Sequence, residues 1–319
     1  MASVDNGLRP PSLVSSDEPR AMSRWLESEE RRDLLYSLLL ILPALAIVFL
    51  VIAYPLFYSL WISANDVDFV KQKWTFVGLK NYLDILPKPD FQMAAVRTFY
   101  YTALSVAGSV GIGLLMALAL NENFRGRSIM RSVVLVPWAT SGVVIGIIWK
   151  WIYDGQTGVL NGVLYALGIV PEYVPWMSEG VRALTLTAIA HIWAAAPGSS
   201  LLLLAGLQAI PPNLYNASKI DGANAWQRFW RVTLPWLRPM LLLAVILSTI
   251  GGLMTFDLIY VMTRGGPGSA TTVFSWLGYT TTYQFFRFGE GTAILYVLTL
   301  ACLVLAYFYV KLLHREQMY

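Results

Sequence analysis

Two ionisable side chains, His191 and Asp257, lie within apolar runs of about 20 residues, long enough to cross a hydrocarbon core of roughly 30 Å. An Asp at the centre of such a helix costs about 2.5–3.5 kcal/mol on insertion scales, so both groups must face protein or water. His191, Ala194, Ala195 and Gly198 recur at helical spacing and share one face, small and polar-tipped, beside Pro197. On the following run Gly252, Thr255 and Ile259 share a face, while Asp257, Tyr260 and Arg264 share another, because residues two apart point about 200° apart on a helix. In a regular helix both faces cannot line one pocket; unwinding at Gly251-Gly252 would relax that. A polar solute needs donors and acceptors along its path, so a small, polar-tipped face is a suitable lining. A histidine bonded to a neighbouring helix, or an aspartate paired with an arginine or a partner chain, would leave the same trace. An intramembrane enzyme would need paired catalytic groups, and these two lie on separate runs without a nucleophile motif.

A second feature is the polar, basic island Asn213 to Pro235, NLYNASKIDGANAWQRFWRVTLP, between two apolar runs. Pro211-Pro212 cannot continue the preceding helix and forces an extended exit. Asn213 is placed to cap a short helix through Asp221, which Gly222 stops. An amphipathic turn or two, Trp226 to Val232, precedes Leu234-Pro235 and the next apolar run. Alternating Ala, Ile and aromatic residues read as a docking surface for another protein; a helix resting on lipid headgroups is the plainer alternative.

The spacing of Asn216-Ala217-Ser218, Asp221-Gly222-Ala223 and Leu234-Pro235 resembles the EAA loop of bacterial ABC importer permeases. That pattern is Glu-Ala-Ala, a Gly four residues after the second Ala, and Ile-x-Leu-Pro about nine residues later. Two positions depart from it: Asn216 stands for the Glu, which removes a charge, and Ser218 for the second Ala. Phe256-Asp257-Leu258-Ile259-Tyr260 with Thr263 and Gly265-Gly266-Pro267 resembles the sugar-importing branch (MalF- and UgpA-like subunits), as does Val77-Gly78-Leu79-Lys80-Asn81-Tyr82. The resemblance implies the MetI-like fold of type I importers and a membrane sugar site built from the spans flanking the loop, here His191, Trp193 and Thr255 or Asp257. It also implies two kinds of protein partner, a second related permease and an extracytoplasmic solute-binding protein. Force and ATP hydrolysis would come from a separate, dimeric ATPase using ATP and Mg. The expected solute is a di- or oligosaccharide, with glycerol-3-phosphate or a polyol as the alternative; Arg264 and Arg287 leave a phosphate open.

Bulk composition agrees with a membrane chain. Across 319 residues, 56% are hydrophobic and 13% charged, against about 25% charged in soluble chains. Runs of about 20 apolar residues fit helices rather than the shorter alternating strands of a barrel. The net charge of +4 comes from basic residues scattered beside the runs, which argues against nucleic acid. Cys302 alone forms no intrachain disulfide, and His191 and His314 are too few for a His-rich metal site. No Gly-rich loop followed by Lys-Ser/Thr is present, so the chain binds no nucleotide cofactor itself.

The elements follow as an all-α polytopic bundle. Residues 1–33 form a polar cytoplasmic tail, and six spans fall at about 34–62, 98–120, 132–151, 184–207, 239–262 and 292–313, with the loop at 213–235. Trp61, Trp151 and Tyr309 suit the interfacial belt. The short connections carrying Arg125, Arg127 and Arg131, or Lys219, Arg228, Arg231 and Arg238, are denser in positive charge than the long ones, despite Lys71, Lys73, Lys80 and Lys88. By the positive-inside rule both termini and the loop face the cytosol, and the resemblance implies that the membrane is a bacterial inner membrane. A cysteine at Ala223 should therefore react with an impermeant maleimide only in inverted vesicles; labelling from outside intact cells would invert the topology.

Overall fold

The computed structural model describes Arg32 and residues 36–68 and 73–316; the expected tail over residues 1–33 otherwise lies outside the described residues. The chain divides into two units, residues 1–59 and 60–319. The first unit carries most of α1 (Tyr36–Ser63), whose most apolar window has none of its residues buried. Phe49–Ala53 widens into a π turn in which the Tyr54 N–H donates to the Phe49 carbonyl. The turn stands just before Pro55, whose missing N–H breaks the regular ladder.

In the second unit a hairpin of β1 (Asn65–Asp68) and β2 (Lys73–Phe76) sets Asn65 opposite Phe76. The helix α2 (Lys80–Ile85) is fastened to it through the Asn81-Tyr82 pair. Asn81 Nδ2 donates to the carbonyls of Ser63 (2.8 Å) and Asn65 (3.0 Å), and the Tyr82 hydroxyl lies 2.6 Å from Ser63 Oγ. The helices α3 (Pro89–Asn121), α4 (Arg127–Ala139), α5 (Gly142–Ile152), α6 (Val159–Ala166), α7 (Gly180–Gln208), α8 (Pro212–Ile220) and α9 (Ala225–Leu253) follow. A π turn at Ile259–Thr263, then α10 (Phe274–Tyr279) and α11 (Phe288–Glu316), complete the order.

Among the described residues, five helices are long and apolar enough to cross a membrane: α1, α3, α7, α9 and α11. The pair α4 and α5 passes the same test jointly but bends by 93° at its break, so the third span expected at 132–151 is a broken one. The break follows Pro137 by three residues: Thr140 and Ser141 are extended at ψ 139°, and Thr140 Oγ1 donates back to the Val136 carbonyl at 2.7 Å. The second span starts earlier than expected, at Pro89, with Pro at the first helical position and Asp90 in the first turn.

The core is the trio α3, α7 and α9. Small residues let α3 and α7 approach closely, as membrane helices do without a hydrophobic force between them. A Cβ on Gly113 would lie 2.8 Å from Ser199 Cβ and 3.0 Å from the Ala196 carbonyl. At the α8 end, Ala117, Leu120, Leu203, Leu207 and Leu237 pack together. The segment 263–290, between the fifth and sixth expected spans, re-enters the core. Thr271 and Val273 are fully buried, and the Phe274 N–H donates to Thr98 Oγ1 of α3 at 2.9 Å. In the α5–α6 connection, backbone N–H groups of Thr157 and Gln156 donate to Asp154 and hold its carboxyl below the usual range.

Gly113→Leu should lower stability by about 1–3 kcal/mol through overpacking. Gly111→Leu, whose Cβ would meet nothing within 4 Å, should stay near wild type. Thermal unfolding in detergent separates them, and equal midpoints would contradict the close α3–α7 approach.

Candidate functional site

The projecting element is α8. Pro211 is extended (φ −60°, ψ 130°) and Pro212 takes the first helical position, so the proline pair opens the helix and Asn213 lies inside it rather than capping it. Its end forms a tight reversal: the N–H groups of Asp221, Gly222 and Ala223 return to the carbonyls of Ala217, Lys219 and Ser218 at 3.0, 3.1 and 2.9 Å. Gly222 adopts φ +75°, the left-handed conformation that glycine reaches without a Cβ penalty. Asn224 then caps α9 in a reciprocal box with Gln227, both bonds 2.9 Å.

The loop is narrower than the expected 213–235. From Ala225 the chain is already α9, which continues through Leu234 and Pro235. A π turn at Phe229–Thr233 has the Leu234 N–H donating to Phe229, just where Pro235 interrupts the ladder. The loop is strapped to this foot by the Tyr215 hydroxyl, 3.0 Å from Thr233 Oγ1, and by Arg228 Nη1 on the Ala223 carbonyl at 2.8 Å. Asn216 faces a groove of about 730 Å³ beside α9 with Lys219 and Arg228. Ser218 Oγ bonds the Tyr215 carbonyl at 2.8 Å, Ala217 and Asp221 are exposed, and Ile220 is 86% exposed at the tip.

Deeper in the bundle is a cavity of about 620 Å³, within the roughly 300–1,000 Å³ usual for small-molecule sites. The α7 wall is the face read from the sequence: His191, Ala194, Ala195 and Gly198, joined by Ser199. The opposite wall comes from α9, with Ser248 and Gly251, and from the segment after it, with Thr255, Phe256 and Asp257. The expected fifth span, 239–262, stops at Leu253, and Thr255 and Phe256 are not helical. Thr255 and Asp257 therefore both reach the cavity, which a continuous helix forbids. The unwinding falls just after the glycine pair. Its backbone is satisfied within protein, with Ser275 Oγ donating to the Thr255 carbonyl.

Three expected lining residues lie elsewhere. Trp193 turns away and packs edge-on against Trp149 at 5.8 Å. Gly252 is buried against Thr102 of α3, because it sits on the side of α9 that faces the core. Tyr260 stacks with Phe256 at 5.6 Å in an aromatic cluster with Trp276 and Tyr279. Sequence reasoning missed the third wall, Trp138, Thr140 and Gly142 at the α4–α5 break; the signal was Pro137 followed closely by Gly142. Hydroxyl contacts join the walls to the core: Tyr101 OH to Thr255 Oγ1 at 3.2 Å, and Ser109 and Ser199 to Ser248 at 3.2 and 3.4 Å. His191 meets Tyr101 edge-to-face at 5.7 Å. Among the described residues no cation pairs with the Asp257 carboxylate, so the arginine partner weighed for it within this chain is not in place.

A crystal structure of a bacterial ABC transporter involved in the import of the acidic polysaccharide alginate has a chain of the same fold, with TM-score 0.77, 24% identity, and coverage of 92% of this chain and 99% of that one. The fold is thus that of an ABC importer permease. Residues 109–317 match the model of the binding-protein-dependent transport system inner membrane component. The trehalose/maltose transport system permease protein MalF of Thermococcus litoralis is 42% identical over 257 residues, 80% of this chain and 86% of that protein. The sulfoquinovosyl glycerol transport system permease protein SmoG of Agrobacterium fabrum is 33% identical over 96% of this chain and 98% of its own. The trehalose transport system permease protein SugA of Mycobacterium tuberculosis is 33% identical over 86% and 87%. The chain belongs to the binding-protein-dependent transport system inner membrane component family, as a multi-pass permease subunit of the inner membrane.

A Cβ on Gly198 would lie 2.6 Å from Trp138 Nε1. Gly198→Leu should push the indole into the cavity and slow solute uptake at least about tenfold, a loss of about 1.4 kcal/mol, at unchanged membrane abundance. Uptake at the wild-type rate would contradict the α7–α4 contact as a wall of the pathway.

Proposed function

We propose that this permease forms the translocation pathway of an ATP-binding-cassette importer for a sugar, a di- or oligosaccharide, with α8 as its coupling helix. One observation carries the reading. The helix α8 joins α7 to α9, the two helices that wall the cavity, and is strapped to the foot of α9 by side-chain hydrogen bonds. A groove closing on such a helix moves it as a body, and the cavity walls move with it. The mechanism needs only that the two permease conformations bind the closed ATPase with different affinities.

The partners in this reading are nucleotide-binding subunits that use ATP and Mg, a second homologous permease and an extracytoplasmic solute-binding protein. The sequence has no phosphate-binding Gly-rich loop of its own, so the chain is the driven component and not the enzyme. Both termini and α8 face the cytosol. Asn216, Ala217, Ser218, Asp221, Gly222 and Ala223 form the coupling surface, with Leu234 and Pro235 as its attachment. His191, Ala195, Gly198, Thr255 and Asp257 line the sugar path. The relatives named for trehalose and maltose transport support the substrate class. An ATP-independent carrier would have no use for an exposed helix clamped between two pathway helices.

In proteoliposomes holding the assembled importer, trehalose or maltose uptake should require ATP inside the ATPase compartment, and uptake without ATP would refute the class. Gly222→Asp places a side chain at φ +75°, and Asp221→Lys inverts an exposed charge. Each should abolish transport or release the ATPase on co-purification, and full uptake in both variants would remove α8 from the coupling. His191→Ala with Asp257→Ala should lower uptake affinity or rate at normal protein level; unchanged kinetics would move the pathway elsewhere.

A further inference from the structure

Among the described residues, the walls that this chain gives the cavity carry one carboxylate, Asp257, and one other titratable group, His191, with no Lys or Arg. The two arginines that left a phosphate open in the sequence are both elsewhere. Arg264 turns off in a left-handed conformation at the end of its π turn. Arg287 pairs with Glu290 at 2.8 Å, beside a separate pocket. Lys150, on the same helix as Gly142, bonds the Val261 carbonyl at 3.3 Å and does not line the cavity.

The start of α5 packs on the Asp257 side chain: a Cβ on Gly142 would lie 2.8 Å from Asp257 Oδ2, while the residue is exposed and lines the cavity. The rest of the lining is neutral, with hydroxyls from Thr140, Ser199, Ser248 and Thr255 and aromatic faces from Trp138 and Phe256. An ionised carboxylate accepts hydrogen bonds and donates none. It receives two hydroxyls of a neutral sugar well, and it repels a phosphate, sulfonate or uronate. A second negative charge a few ångströms away is disfavoured by about tenfold or more at the effective dielectric near a protein surface.

We infer that Asp257 is a charge selector: the cavity takes uncharged sugars and rejects anionic ones. The inference rests on the sugar-importer reading and narrows it, excluding the glycerol-3-phosphate alternative.

The test is equilibrium binding to the assembled permease–ATPase complex without its solute-binding protein, so that only the membrane cavity selects. The probes are trehalose and maltose, each against its glucuronate-containing counterpart. Wild type should bind the neutral member at least tenfold more tightly. Asp257→Asn, which removes the charge and one acceptor oxygen at nearly constant shape, should weaken neutral binding and still narrow the neutral-to-anionic ratio to about threefold or less. Asp257→Lys should reverse the order. Equal binding of both members by wild type, or an unchanged ratio in Asp257→Asn, overturns the selector while leaving the sugar reading standing. Failure of wild type to bind any of the four overturns both.

Discussion

A helix that ends inside a membrane protein releases backbone groups that must be satisfied within the protein, and the site depends on how this chain meets that constraint. α9 ends at Leu253, and the next residues run non-helically beneath α10, where Ser275 takes the Thr255 carbonyl and Tyr101 meets the Thr255 hydroxyl. The re-entrant segment from Thr271 to Thr282 is among the most deeply buried parts of the protein. Without that cover the unwound stretch could not exist, and without the unwound stretch Thr255 and Asp257 could not share a cavity. The α4–α5 break supplies the facing wall by the same device, with Thr140 returning its hydroxyl to the carbonyl of Val136.

In the proposed mechanism the cavity and the loop are two ends of one mechanical unit. α7 and α9 contribute walls to the first and anchor the second, and the straps at Tyr215–Thr233 and Arg228–Ala223 shorten the lever between them. α9 reaches its proline through a π turn without a gap in the helix, so motion at its foot is not absorbed by a flexible joint. The apolar faces of the bundle are left largely exposed, most completely on the α1 window, as suits a chain that meets lipid and a second permease.

Much of this was legible in the sequence because its causes are local. Proline pairs open helices, Gly222 closes one, and apolar runs have a length set by the bilayer; these fixed five spans and the loop. The His191 face was readable since helical spacing alone defines it. What could not be read depends on distant contacts. Asp257 and Thr255 looked incompatible until the helix end at Leu253 removed the regular geometry. Trp193 faces Trp149 because α5 packs there, which nothing near residue 193 encodes. The segment after Gly265-Gly266 reads as loop by its glycines, yet its aromatics and threonines bury it against α3. Asn213 lost the cap position to Pro211, two residues earlier, because Pro212 takes the first helical position, a competition between two good starting signals.

The central claim is that motion delivered to α8 rearranges the cavity walls. The most direct measurement is the reactivity of a single cysteine at Ser248, on the α9 wall, toward an impermeant maleimide in the assembled importer, with and without ATP trapped in the ATPase. The account predicts that trapping ATP switches the side of the membrane from which the cysteine reacts, and that the switch is lost when α8 carries Gly222→Asp in complexes that still hold the ATPase. A cysteine whose sidedness ignores ATP, or one that switches equally well with α8 disrupted, would contradict it.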